Sequence, residues 1–162
     1  MVIVKKAVRG VSEKALARFA QQARRATGLR GKVNVVLTSS RDLRALNRRF
    51  RGHDKPTDVL SFPPVPLVAQ EFAGDIVIAA EIAARNARLY QHAPAQELKI
   101  LILHGMLHLA GFDHERDRGK MARQEERLRR ELNLTDGLIR RAERKEAVGR
   151  RPATNDRRRR TR

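Results

Sequence analysis

Three histidines lie close together in an otherwise apolar stretch, His104-Gly-Met-Leu-His108-Leu-Ala-Gly111-Phe-Asp113-His114. Residues four apart on an α-helix share a face, with Cβ atoms about 5–6 Å apart, so His104 and His108 can hold one ion between them. Gly111 then allows the chain to reverse in a left-handed conformation, and His114 can return from the turn as a third ligand. Three imidazoles leave coordination positions open for water and substrate, which a catalytic site needs and a structural one does not. With 0 cysteines, any metal must be held by His, Asp or Glu. The expectation is one divalent ion per chain, zinc, on His104, His108 and His114. The bland alternative is two core histidines and a surface one, but burying two imidazoles one turn apart without a metal or partner costs desolvation twice. His53 and His92 sit in polar contexts and read as ordinary.

The spacing His-x-x-x-His-x-x-Gly-x-x-His is that of the metzincin proteases. Those enzymes carry a glutamate directly after the first histidine as general base, and here that position is Gly105. Without the carboxylate, ordinary peptidase chemistry is disfavoured. Three neutral imidazoles leave the charge of a divalent ion uncompensated, which favours an anionic ligand such as phosphate. Arg48, Arg49 and Arg51 precede the next strand, and a guanidinium fork matches phosphate oxygens in two-point contact. Arg51 is the candidate for stabilising charge in phosphodiester cleavage. It follows Phe50, read as an apolar anchor. Arg48 and Arg49 are candidate RNA contacts.

Charge points the same way. The chain holds 36 Lys+Arg against 18 Asp+Glu, a formal net charge of +18. Residues 149–162 contribute seven arginines and one aspartate, leaving +12 for residues 1–148. A polyanion such as RNA suits that field. With only 4% aromatic residues, binding should rest on phosphate contacts more than on stacking. The sequence begins Met1-Val-Ile-Val-Lys5-Lys6, charges after a short apolar run, the reverse of a signal peptide. The most apolar stretch, Ile100 to Phe112, falls well short of the roughly 20 residues a membrane span needs. A cytoplasmic protein with no membrane partner is expected.

The elements that must position these groups follow from periodicity. Strands are expected at Val2–Val8, Lys32–Thr38, Asp58–Phe62 and Asp75–Ala79, with a loop from Pro63 to about Ala73. Helices are expected from Ser12 to about Thr27, from Ser39 or Ser40 to Phe50, and from Glu81 to Gln91. Pro94 opens a helix running to about Ala110 that is apolar on nearly every side and should be central. Asp117 begins a charged helix to about Glu131, and Thr135 or Asp136 caps a last one to about Val148. This predicts an α+β fold, a small mixed four-stranded sheet packed on helices around a buried metal-binding helix. Residues 1–148 form one hydrolase domain, and 149–162 a disordered basic tail that raises RNA affinity without setting specificity.

Leu46-Asn47-Arg-Arg-Phe50-Arg51-Gly-His-Asp54-Lys55-Pro56-Thr57-Asp58-Val59-Leu60-Ser61-Phe62-Pro63, Gly74-Asp75-Ile76-Val77-Ile78 and His104 to His114 together resemble the bacterial YbeY family over about residues 30–135. The resemblance implies a zinc-dependent, single-strand-specific endoribonuclease. Its roles would be 3′-end maturation of 16S ribosomal RNA, ribosome biogenesis and quality control, with the ribosomal small subunit and assembly factors as partners. The family's zinc histidines fall on His104, His108 and His114, and its important arginine on Arg51. The arginine-rich tail departs from the family pattern and inherits nothing.

Other assignments stay open. Asp58 and Asp75 are either partners of the metal ligands or caps at strand starts. Asp113 and Glu115, flanking His114, can orient it or relay a proton. Ser61 reads as structural, and Leu98, Leu101, Leu103, Met106 and Leu107 as core. Two rival readings remain, a metallopeptidase-like hydrolase and a non-catalytic RNA-binding assembly factor.

Overall fold

Apolar residues at alternate positions of Lys32–Thr38 build the central strand. Val33, Val35 and Leu37 are buried while Asn34 and Val36 are only partly so, the two-residue period of a pleated strand with one face in the main core. In the computed structural model, which describes residues 1–69 and 71–134, this strand (β2) lies between β1 (Val2–Val4) and β4 (Phe72–Ala79), parallel to both. Strand β3 (Val59–Phe62) runs antiparallel to β4 at the sheet edge. The sheet is therefore mixed and four-stranded, as expected.

Two strand ends differ from the expectation. β1 stops at Val4 because Lys5 and Lys6 turn out of the ladder, both donating their N–H to the Leu37 carbonyl at 2.9 and 3.2 Å. β4 starts at Phe72 rather than Asp75. Parallel pairing with the first residues of β2 draws in Phe72 and Gly74 ahead of the expected start.

The helices are α1 (Glu13–Ala26), α2 (Ser40–Arg51), α3 (Ala80–Leu89), α4 (Pro94–Leu109) and α5 (Lys120–Glu131), with a 3₁₀ turn at Pro66–Val68. Ser12 caps α1 by accepting from Ala15 N, and Ser39 caps α2 by accepting from Asp42 N. α5 begins three residues later than expected. Asp117 stays outside the helix and its carboxylate accepts from Met121 N at 2.8 Å, an N-terminal cap reaching in from the preceding turn. The expected helix from Thr135 or Asp136 to Val148, and the tail 149–162, lie outside the described residues.

α1 and α4 cover one face of the sheet, over Val33, Val35, Leu37, Ile76 and Ile78. α2 covers the other, with Leu43, Leu60, Val77, Ala79 and Ile82 in a smaller cluster. Leu98, Leu101, Leu103, Met106 and Leu107 are fully buried, so α4 is the central helix the sequence implies. Among the described residues no helix is long and apolar enough to cross a membrane.

α4 meets the sheet closely at Gly105. A Cβ there would stand 2.8 Å from Ile76 Cγ2 and 3.0 Å from Ser61 Oγ. The Ser61 hydroxyl donates to the Gly105 carbonyl at 3.1 Å, tying the edge strand to the helix one residue after His104. The position that lacks a protease's glutamate is thus one where any side chain would crowd Ile76 and Ser61.

Candidate metal centre

His104 and His108 occupy successive turns of α4, the first buried at 5% exposure, the second half-buried near the helix end. Gly111 follows at φ 92°, a left-handed conformation glycine adopts without strain. A turn then begins in which the N–H groups of Arg116 and Asp117 both donate to the Asp113 carbonyl. That turn returns the exposed His114 over the helix. One ligand atom from each of the three histidines lies within 4.8 Å of the others. The three ring centroids are 4.7, 5.4 and 5.6 Å apart.

The ring orientations are set from behind. His104 Nδ1 lies 3.0 Å from Glu125 Oε1 of α5, both groups buried, and His108 Nδ1 lies 3.1 Å from the Phe112 carbonyl. An ionised carboxylate and a carbonyl only accept, so each Nδ1 carries the proton and each Nε2 presents its lone pair. The two Nε2 atoms are 3.1 Å apart. Two lone pairs that close repel unless a cation sits between them. Nitrogens about 2.0–2.1 Å from a tetrahedral ion stand roughly 3.3 Å from each other, so the pair fits a shared metal. Burial, then the neighbouring His104 and His114, lowers the His108 pKa to about 4, leaving it neutral and ready to ligate at neutral pH.

Arg51 ends α2 and reaches around the sheet edge. Its guanidinium donates to the Ser61 carbonyl at 3.0 Å. β3 is an edge strand, so that outward carbonyl has no strand to pair with. Arg51, Ser61 and Pro63 line one side of an open cleft of about 530 Å³, and His108, Phe112, Asp113, His114, Glu115 and Arg116 line the other. The structure thus brings Arg51, Asp113 and Glu115 to the histidines. Within that group the Asp113 carboxylate accepts from Glu115 N at 3.1 Å and lies 3.8 Å from Arg116 Nε, shaping the turn that carries His114.

Other candidates lie elsewhere. Arg48 faces a shallow groove with Arg41, Arg44 and Asp54, and Arg49 lies over the Phe50 ring at 5.3 Å. Phe50 is no buried anchor. It is 59% exposed because the apolar stripe of α2 runs past the sheet edge, where it meets the Phe62 ring in a T-shaped contact. Asp75 accepts from Asn34 on β2 at 3.0 Å. It alternates with Ile76, which packs on α4, so it points to the opposite face of the sheet. Asp58 accepts from Asn86 at 3.4 Å, and burial pushes its carboxyl above the usual range against the pull of backbone hydrogen bonds and His104. His92 Nε2 lies 2.6 Å from the wholly buried Glu97, a pairing apart from the three clustered histidines.

Sequence reasoning missed Glu125. Its signal is a carboxylate at a position of the apolar stripe of α5, between Met121 and Leu128, all three buried.

The family described as Endoribonuclease YbeY matches residues 2–133. Endoribonuclease YbeY of Koribacter versatilis is 53% identical over 141 residues, 87% of this chain and 91% of that protein. Endoribonuclease YbeY of Solibacter usitatus is 43% identical over 129 residues, 80% and 85% of the two chains. Among solved structures, the solution structure of TM1509 from Thermotoga maritima superposes with a TM-score of 0.55 at 27% identity, covering 97% of this chain and 100% of that one.

Proposed function

Since the chain belongs to the endoribonuclease YbeY family, we propose that it is a zinc-dependent, single-strand-specific endoribonuclease acting in 3′-end maturation of 16S ribosomal RNA, ribosome biogenesis and quality control. Its partners on this reading are ribosomal RNA, the ribosomal small subunit and assembly factors, and its place is the cytoplasm. The observation that carries the metal-dependent reading is the convergence of two oriented imidazole nitrogens, 3.1 Å apart, beside His114 and an arginine in one open cleft.

One zinc ion held by His104, His108 and His114 would supply Lewis-acid polarisation of a phosphate oxygen and a nucleophile at neutral pH. Glu125 and the Phe112 carbonyl keep the two helix imidazoles in the ligating tautomer. Arg51, pinned at Ser61, presents its remaining N–H groups to the cleft. There they can take the non-bridging oxygens of a phosphodiester and neutralise the charge that grows on them during cleavage. Asp113 and Glu115 line the same cleft, and on this reading one of them orients His114 or relays the nucleophile's proton.

The metallopeptidase alternative suffers from the close contact at Gly105, where a glutamate cannot be seated between Ile76 and Ser61. The non-catalytic alternative predicts that RNA is bound but not cut. Metal-loaded protein incubated with end-labelled single-stranded RNA should produce internal cleavage, and a His108→Ala variant should not. RNA left intact by the wild type, or cut equally by the variant, would contradict the reading.

A further inference from the structure

The one exposed phenylalanine among the described residues directly precedes Arg51, at the sheet edge that Arg51 rounds to reach the cleft. Phe50 is 59% exposed, yet it is not loose. Phe62 packs against it edge-on, centroids 5.6 Å apart at 73°, and the Arg49 guanidinium lies 5.3 Å from its centroid. Phe62 directly follows Ser61, whose carbonyl holds Arg51. Phe62 faces α2 rather than α4, so the ring stands on the α2 side of the sheet edge while the Arg51 guanidinium is held at the edge itself. Around the ring the charge is one-sided. Arg44 is paired with Asp54, but among the described residues no carboxylate pairs with Arg48, Arg49 or Arg51. An aromatic ring with the unpaired guanidiniums of Arg49 over it and Arg51 next along the chain suits an occupant with flat rings strung on a negative backbone.

We propose that Phe50 is a stacking platform for an unpaired base of the RNA strand whose phosphate lies at Arg51, and that it selects for single-stranded RNA at the cleft. The proposal rests on the nuclease reading of that cleft and adds the group that reads strandedness. Every base has a π-face, so stacking is blind to sequence. In a duplex both faces are already covered by neighbouring bases, and the platform has nothing to take. The Arg49 guanidinium lies over the ring, 5.3 Å from its centroid, and adds cation–π attraction. Overall the chain is poor in aromatics, so this local site is the exception to a binding mode otherwise dominated by phosphate contacts. A base stacked on an aromatic side chain contributes about 5- to 150-fold in affinity, and a platform open to water on one side belongs near tenfold.

The chain has 0 tryptophan, so Phe50→Trp installs a single indole reporter at the platform. Its emission should be quenched by a single-stranded oligoadenylate and left nearly unchanged by inorganic polyphosphate, which brings charge without bases, and by the oligoadenylate–oligouridylate duplex. In parallel, Phe50→Leu keeps an apolar contact for Phe62 and removes the π-face. It should bind the single strand about tenfold more weakly, bind polyphosphate like wild type, and melt at a similar temperature. Equal quenching by all three polyanions, or undiminished single-strand affinity in Phe50→Leu, overturns the proposal. Should that leucine variant not fold, the indole titration decides alone. If wild-type protein binds and cuts RNA while Phe50→Leu matches it, only the platform falls. If wild-type protein binds no single strand at all, the nuclease reading falls with it.

Discussion

Across the cleft, two walls carry the candidate chemistry in different states of constraint. On the α4 side, His104 is 5% exposed, its Nδ1 faces a glutamate that is itself 2% exposed, and Gly105 is wedged against Ile76 and Ser61. On the α2–β3 side, Arg51 is exposed and held by one hydrogen bond to a backbone carbonyl, and Phe50 projects past the sheet edge. The first wall fixes its donor atoms before any ligand arrives, which is what a metal with strict distance requirements needs. The second keeps its cations in water, where they attract a polyanion over some distance and settle around it on arrival. Substitutions on the two walls should therefore fail differently, the first through metal and fold, the second through turnover and RNA.

Short of removing a metal ligand, the largest effect belongs to the second wall. Arg51→Ala, and nearly as much Arg51→Lys, should lose about 10²–10³ in turnover while KM and metal content stay close to wild type, the range for one donor aimed at developing charge. Steady-state kinetics on single-stranded RNA separates this from a tether, which would raise KM with turnover intact. On the first wall, Glu125→Ala should weaken metal affinity about 10- to 100-fold by leaving His104 Nδ1 without its acceptor. Competition with a chelating dye reads that directly, and an unchanged affinity would make Glu125 a bystander. Gly105→Ala should cost about 1–3 kcal/mol of folding stability, since the added methyl meets Ile76 Cγ2 at 2.8 Å. Chemical denaturation measures it, and a stability equal to wild type would mean that α4 can retreat from the sheet.

Acid should also distinguish the walls. The His108 pKa falls from 6.5 to about 4 on folding, chiefly through burial. Between those values the unfolded chain binds more protons than the folded one, so stability is highest above about pH 6.5 and declines as pH falls toward 4. Melting temperatures of chelator-treated protein across that window should drop, and His108→Asn should flatten the decline. Equal slopes would remove His108 as the cause.

What the sequence made legible is what short range decides. The four-residue step from His104 to His108, the glycine at 111 and the caps at Ser12 and Ser39 are local, and the structure has them where the spacing implies. The alternation in Lys32–Thr38 likewise gives β2 its bounds. The rest depends on which distant residue packs where. Glu125 looks like one more charge in a charged helix until α5 docks and carries it to His104. Gly105 reads only as a missing base until Ile76 and Ser61 arrive from two strands. Phe50 has the spacing of a core residue, yet the sheet ends beneath it. Asp75 starts the expected strand, but its neighbour Ile76 takes the face toward α4.

The most direct test of the account is the metal itself. Elemental analysis of native protein should find one equivalent of zinc per chain, absent from His104→Ala, with affinity falling toward acid pH as protons compete for the same nitrogens. Protein free of tight metal, or a His104→Ala variant with unchanged content, would contradict the claim that His104, His108 and His114 form a catalytic metal site.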